Sequence, residues 1–164
     1  MKTIWATWRK NYIQSTDEPC SECLFCKIAK DKCDKENFVL YRGEHNFVIM
    51  NLFPYTSGHL LIIPYKHTGD YRDLSEVERC EMSWLEQKSI TWIENAFHPG
   101  GFNIGMNIGK IAGAGIDSHI HRHVVPRWKG DSNFMPVVGG VRVMSISVED
   151  AFDALLRVIN QEES

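Results

Sequence analysis

Residues 118–135 read SHIHRHVVPRWKGDSNFM and carry His119, His121 and His123 at every second position. A β-strand has a side-chain period of two, so a strand here sends all three imidazoles to one face, stepped about 7 Å apart. Imidazole is the side chain best able to act as nucleophile, proton carrier or metal ligand near neutral pH. Three in register are a costly choice for a face meant only for packing, so the stretch predicts a functional strand. A solvated polar edge strand is the plain alternative. It explains a lone histidine better than this triad followed by Pro126-Arg127-Trp128.

A chain of 164 residues with 43% hydrophobic content fits one domain, 1–164, able to bury a real core. Its longest apolar run, residues 60–64, is far too short to span a bilayer, and the N-terminus lacks the apolar core of a signal peptide. A cytoplasmic protein with no membrane partner is expected. The formal net charge of -3, with scattered lysines and arginines, gives no basic face for nucleic acid, while a few local cations suit a small phosphorylated ligand. Five cysteines are an odd number in a chain without an export signal, which argues against a disulfide framework and leaves metal binding or inert thiols.

Two Cys-x-x-Cys pairs overlap at Cys23 in Cys20-Ser21-Glu22-Cys23-Leu24-Phe25-Cys26. One pair supplies half of a tetrahedral zinc site, so two histidines from elsewhere in the fold should complete it; buried thiols without metal are the alternative. Short β-branched and aromatic runs at 38–41 and 47–50 predict a hairpin, and the turn-rich link 51–59 leads into an apolar strand at 60–63. The one long helix is expected over 74–97. Ser75 and Glu78 form its capping box, Leu85, Ser89, Trp92 and Ala96 share a face, and Pro99-Gly100-Gly101 stops it. Trp84 and Trp92 read as core or dimer contacts. Residues 102–109 alternate strictly, which sends Phe102, Ile104, Met106 and Ile108 to the core and Asn103, Gly105 and Asn107 to the face bordering the histidines. The glycine-bearing loop 110–118 can bring backbone N–H groups close to an anion. A strand broken at Gly139-Gly140 is expected over 136–144. A final helix opens at Ser147 and Asp150, with Val148, Phe152, Leu155, Leu156 and Ile159 as its core stripe and 161–164 fraying. Antiparallel-looking strands with one long intervening helix and a terminal one make the class α+β.

The run His-Ile-His-Arg-His-Val-Val resembles the signature of the histidine triad (HIT) superfamily, and its continuation 126–135 is similar to the branch related to bacterial diadenosine tetraphosphate phosphorylases. Arg122 departs from the pattern, whose second spacer is usually apolar; it lies on the opposite strand face, away from the chemistry. The resemblance implies a five-stranded antiparallel sheet with one long helix and a C-terminal helix, paired in a homodimer, with 1–19 as an N-terminal arm. Two tryptophans and a tyrosine there would be costly if left wet, which favours packing on the domain or a partner subunit, with substrate contact as the alternative. The resemblance also implies roles. Cys23, Cys26, His67 and His119 match the ligands of a structural zinc, leaving Cys20 surplus. Asn51 matches a ribose-binding residue, and an amide suits a cis-diol because it both donates and accepts. His59 belongs to the same nucleoside-binding link. Asn107 lies where the family has a phosphate-binding amide, beside a loop containing Gly113 and Gly115. His121 matches the nucleophile that attacks an α-phosphorus to give a nucleotidyl-imidazole, and His123 the residue that binds phosphate or the departing oxygen. Hydrolase members usually carry Ala-Gly-Gln where this chain has Ala112-Gly113-Ala114, and that change agrees with the phosphorylase-like branch.

The expected activity is therefore phosphorolysis of dinucleoside polyphosphates, with inorganic phosphate as second substrate. Hydrolysis of these or related nucleotide conjugates shares its first half. Two rivals of other kinds stay open: a nucleotide-binding protein with residual activity, and a catalyst that uses the triad as metal ligands.

Overall fold

The computed structural model describes residues 22–131, 138 and 144–162. The expected arm 1–19, Cys20 and, apart from Val138 and Met144, the strand expected over 136–144 lie outside the described residues. Strands β1 (Val39–Arg42), β2 (Asn46–Met50), β3 (Leu60–Pro64), β4 (Gly101–Met106) and β5 (Arg122–Arg127) form one antiparallel sheet in the order β1-β2-β3-β5-β4. Three α-helices with both ends among the described residues accompany it: α1 (Leu24–Lys30), α2 (Glu76–Phe97) and α3 (Val148–Glu162). This is the α+β arrangement expected from the sequence.

Every residue of β2 and β3 is buried, because helices cover both faces of the sheet at its centre. On one face Val48, Met50, Leu60, Ile62 and Val124 pack against Met82, Leu85, Trp92 and Ile93 of α2 and Phe152, Leu155 and Ile159 of α3. On the other, Val39, Phe47, Ile49, Leu61 and Ile63 pack against Phe25 and Ile28 of α1. At about 1.5–3 kcal/mol for each large aliphatic or aromatic side chain buried, this packing dominates the stability of the domain. Both halves of the expected capping box form: Ser75 Oγ accepts from Glu78 N–H, and Glu78 Oε2 accepts from Ser75 N–H at 2.6 Å. At the other end of α2, His98 takes the left-handed cap with φ 49°. Gly101 therefore belongs to β4 instead of to the stop.

Three further expectations need correction. The histidines do not form a three-rung ladder on one strand: β5 begins at Arg122, so only His123 lies in it. The antiparallel partner of this stretch reaches Pro64, which has no N–H to offer, and the Pro64 carbonyl is taken by the His119 side chain at 2.8 Å while Ile120 N–H turns to Thr68 O at 2.7 Å. Ile104 and Ile108 are not core; they are 40% and 52% exposed, because β4 is the sheet's outer strand and runs past the helices, leaving Phe102 and Met106 half-buried. Helix α3 continues to Glu162, whose carboxylate accepts from Trp92 Nε1–H at 3.0 Å and pairs with Lys88, so its last turn is tied down. Helix α1 was absent from the sequence reading. At 7 residues it is too short to show a periodic pattern. Among the described residues no helix is long and apolar enough to cross a membrane.

Candidate active site

The turn of α1 brings the first cluster together. Cys23 is its N-cap and Cys26 lies in its first turn, which points both thiols at the segment where β3 ends and β5 begins. There His67, just past β3, and His119, just before β5, meet them. The four ligand atoms lie within 4.8 Å of one another. His119 Nδ1 is 3.4 Å from Cys23 Sγ, 3.6 Å from Cys26 Sγ and 3.3 Å from His67 Nδ1, and Cys26 Sγ is 3.3 Å from His67 Nδ1. A tetrahedral zinc with ordinary bond lengths has N···N and S···N edges of about 3.4 and 3.6 Å, close to the four donor–donor distances just given. Chemistry agrees with geometry. His119 Nε2–H donates to Pro64 O, which leaves Nδ1 bare as a ligand, and burial followed by its neighbours His67 and His121 outweighs that bond and lowers its pKa. Burial, and then Cys23 beside it, pushes the Cys26 thiol up, so two thiolates here need a cation.

A second constellation begins at the next residue but one. His121 is 5% exposed and its Nδ1–H donates to His119 O at 2.9 Å, which places the bare lone pair on Nε2. Burial lowers its pKa, so the ring is neutral near pH 7. Phe25 of α1 packs edge-on against both rings, 5.5 Å from His119 and 5.2 Å from His121 between centroids. The His123 ring lies 5.0 Å from that of His121.

His59 is fully buried, and its hydrogen bonds run inward. Tyr55 N–H can only donate, and it donates to His59 Nδ1 at 3.1 Å, with Asn51 Nδ2 at 3.3 Å from the same nitrogen. His59 Nε2 must then carry the proton and donate to His123 Nδ1 at 2.9 Å. That puts the His123 proton on Nε2. Two rings side by side thus present opposite faces of the imidazole: a lone pair from His121 and an N–H from His123.

The remaining expected residues surround this pair. Asn51 Oδ1 accepts from Phe53 N–H at 2.9 Å, which bends the link 51–59 into an Asx turn and leaves Leu52, Phe53 and Tyr55 exposed beside the site. Gly105 pairs directly with His123, confirming that the polar face of β4 borders the histidines. Beyond the end of β4, Asn107 Nδ2 reaches Gly113 O at 3.5 Å, and Gly113 takes a left-handed conformation (φ 93°) that closes the short 3-10 turn Lys110–Ala112. Gly115 follows in the loop that returns to His119. Arg122 does lie on the opposite face, where it pairs with Glu86 of α2 at 2.7 Å. Phe25 and Tyr55 are site neighbours that the sequence reading did not single out. Their only linear signal is position: Phe25 stands between the two cysteines, and Tyr55 in the turn before His59.

Comparisons with known proteins agree with this architecture. The HIT domain family model matches residues 32–130, leaving both cysteines of the first cluster outside the match. The AP-4-A phosphorylase of Mycobacterium tuberculosis is 36% identical over 157 residues, covering 92% of this chain and 80% of that one. Among solved structures, a Zn-bound histidine triad family protein from Mycobacterium smegmatis superposes with a TM-score of 0.71 at 28% identity, covering 87% of this chain and 96% of the other. A hypothetical histidine triad nucleotide-binding protein from Sulfolobus tokodaii gives 0.66 at 27%, covering 85% and 90%. The family match over most of the folded core and the identity to a relative along nearly the whole chain have one conclusion: the chain belongs to the HIT domain family.

Proposed function

We propose that this protein is a nucleotidyl-transferring enzyme that cleaves dinucleoside polyphosphates such as diadenosine tetraphosphate, with inorganic phosphate as acceptor. The observation that carries the reading is the buried, neutral His121 with its proton held on Nδ1 by His119 O and its Nε2 lone pair available. Nε2 attacks the α-phosphorus. A P–N bond forms, the P–O bond to the β-phosphate breaks, and the departing nucleotide oxygen interacts with the Nε2–H of His123. Phosphate oxygen then attacks the same phosphorus and the P–N bond breaks, so diadenosine tetraphosphate yields ATP and ADP. His59 acts through His123 by fixing its tautomer, although the sequence reading placed it on the ligand. Asn51 holds the ribose hydroxyls, the exposed apolar residues of the link receive the base, and Asn107 with the backbone around Gly113 and Gly115 receives phosphate oxygens. The name of the Mycobacterium tuberculosis relative supports phosphate over water as acceptor.

Cys23, Cys26, His67 and His119 hold one structural zinc, a charge that keeps both thiols ionised and ties α1 to the approaches of β3 and β5. The N-terminal arm and the chain that follows it make one domain of a cytoplasmic protein. Two copies form a homodimer, for which the outer edge of β4, which pairs with no further strand among the described residues and leaves Ile104 and Ile108 exposed, supports the reading. Product analysis tests the activity. Diadenosine tetraphosphate with labelled inorganic phosphate should give ATP and labelled ADP; AMP in place of ADP makes water the acceptor, and no turnover makes the protein a binder.

A further inference from the structure

Helix α1 brings the two cysteines to the metal centre, yet little of its own sequence holds it in place. Its 7 residues are fewer than an isolated helix needs, its N-cap Cys23 makes no side-chain capping bond, and its first turn has no acidic residue. The ion pair between Glu22 and Lys30 is exposed and contributes little. Phe25 and Ile28 anchor one side in the core, but apolar packing does not satisfy the carbonyls left open at the helix end.

Arg42, at the end of β1, does. Its guanidinium donates to Ile28 O and Ala29 O at 3.1 Å each and to Asp31 O at 2.6 Å, so three carbonyls at the C-terminus of α1 converge on one group. Asp34 Oδ1 accepts from the same guanidinium at 2.9 and 2.7 Å, which fixes the plane of the fork. The side chain is largely shielded, lies over the Phe47 ring at 5.9 Å, and carries a positive charge at the negative end of the helix. A planar fork with five donors suits this cluster of acceptors; a lysine ammonium does not.

We propose that Arg42 is a positioning residue for the metal centre: by capping the C-terminus of α1 from the sheet, it sets Cys23 and Cys26 opposite His67 and His119 before any ion arrives. It touches neither the ligand atoms nor the ion. The proposal rests on the zinc reading above only for its metal arm. In this protein the half-site contributed by the helix is preformed, and Arg42 is the group that preforms it.

The test uses the full chain with Arg42→Gln, Arg42→Lys and Asp34→Asn, and Ser75→Ala, which removes the N-cap of α2, as a variant weakened elsewhere. Zinc affinity is read by competition with a chromophoric chelator, and the cobalt-substituted d–d spectrum reports ligand geometry. Amide exchange of 24–30 is measured in metal-free protein. Arg42→Gln should weaken zinc binding about 10- to 100-fold, the range for groups that orient metal ligands, with Arg42→Lys and Asp34→Asn in between and Ser75→Ala like wild type. The α1 amides of Arg42→Gln should lose protection without metal and recover it with zinc. Zinc affinity within twofold of wild type in Arg42→Gln, or unchanged α1 protection in its metal-free form, overturns the proposal. Should Arg42→Gln not fold, Asp34→Asn carries the same two readouts. Wild-type protein that takes up no zinc overturns the zinc reading instead, and the exchange of α1 then decides the role of Arg42 by itself.

Discussion

Replacing His59 by phenylalanine keeps a buried ring of similar shape and removes both nitrogens. In the structure those nitrogens accept from Tyr55 N–H at 3.1 Å and donate to His123 Nδ1 at 2.9 Å, on a side chain that is itself fully buried. Each lost bond costs about 1 kcal/mol where water replaces the partner and about 1–3 kcal/mol where the remaining group stays dry. Two such losses amount to roughly 2–6 kcal/mol, or about 4–24 °C in melting temperature for a domain of this size. The chemical effect is separate. Without the His59 N–H, His123 no longer has its proton held on Nε2, so its contribution to the leaving group falls within the range of about 10²- to 10⁴-fold typical of a positioned proton donor. Urea unfolding gives the first quantity. Steady-state kinetics on diadenosine tetraphosphate at saturating phosphate give the second, below the melting temperature of the variant. The expected result is a large fall in kcat with a smaller change in KM. A variant with stability within 0.5 kcal/mol (roughly the neutral range for substitutions) and wild-type kcat would refute the relay from Tyr55 through His59 to His123.

Three other outcomes are expected. His121→Ala should lose several orders of magnitude in turnover while still binding nucleotide, and intact-mass analysis after an alkaline quench, which preserves a P–N bond, should show a nucleotidyl adduct on wild type and none on the variant. Metal analysis should find one zinc per chain, Cys23→Ala should melt lower, and zinc affinity should fall as pH drops, because the Cys26 thiol, already pushed up by burial and by Cys23, must lose its proton to bind. Glu81 in α2 accepts from Glu44 N–H at 2.7 Å, His45 N–H at 2.8 Å and Asn46 Nδ2 at 2.8 Å. Burial pushes its carboxyl up, but these donors together outweigh burial and hold it below the usual value. Its stabilisation is present above the unfolded glutamate pKa of about 4.3 and is lost as pH falls below that value, so Glu81→Gln should cost about 1–3 kcal/mol at pH 7 and make stability less sensitive to acid in a pH series of urea melts.

Wherever chemistry and local period act together, the linear chain already states the outcome. The Ser75/Glu78 box, the stripe of α3 and the continuous apolar run of β3 each bury or bond within a few residues of themselves, so their patterns survive folding intact. The four residues of the candidate metal cluster were legible as residue types, and their assembly was expected from the family pattern, but only packing draws positions 23 and 119 to within 4.8 Å. Other features have no local signature. Whether Ile104 lies in the core depends on which strand ends the sheet, a property of strand order that no alternation within 102–109 encodes. Helix α1 is set by tertiary contacts with Phe47 and Arg42 because 7 residues carry too little propensity to decide their own state. The break between His121 and β5 comes from Pro64 on the neighbouring strand. Above all, the protons on His119, His121 and His123 are assigned by Pro64 O, His119 O and His59. An imidazole has two nearly equivalent tautomers, and only a partner fixed in space distinguishes them.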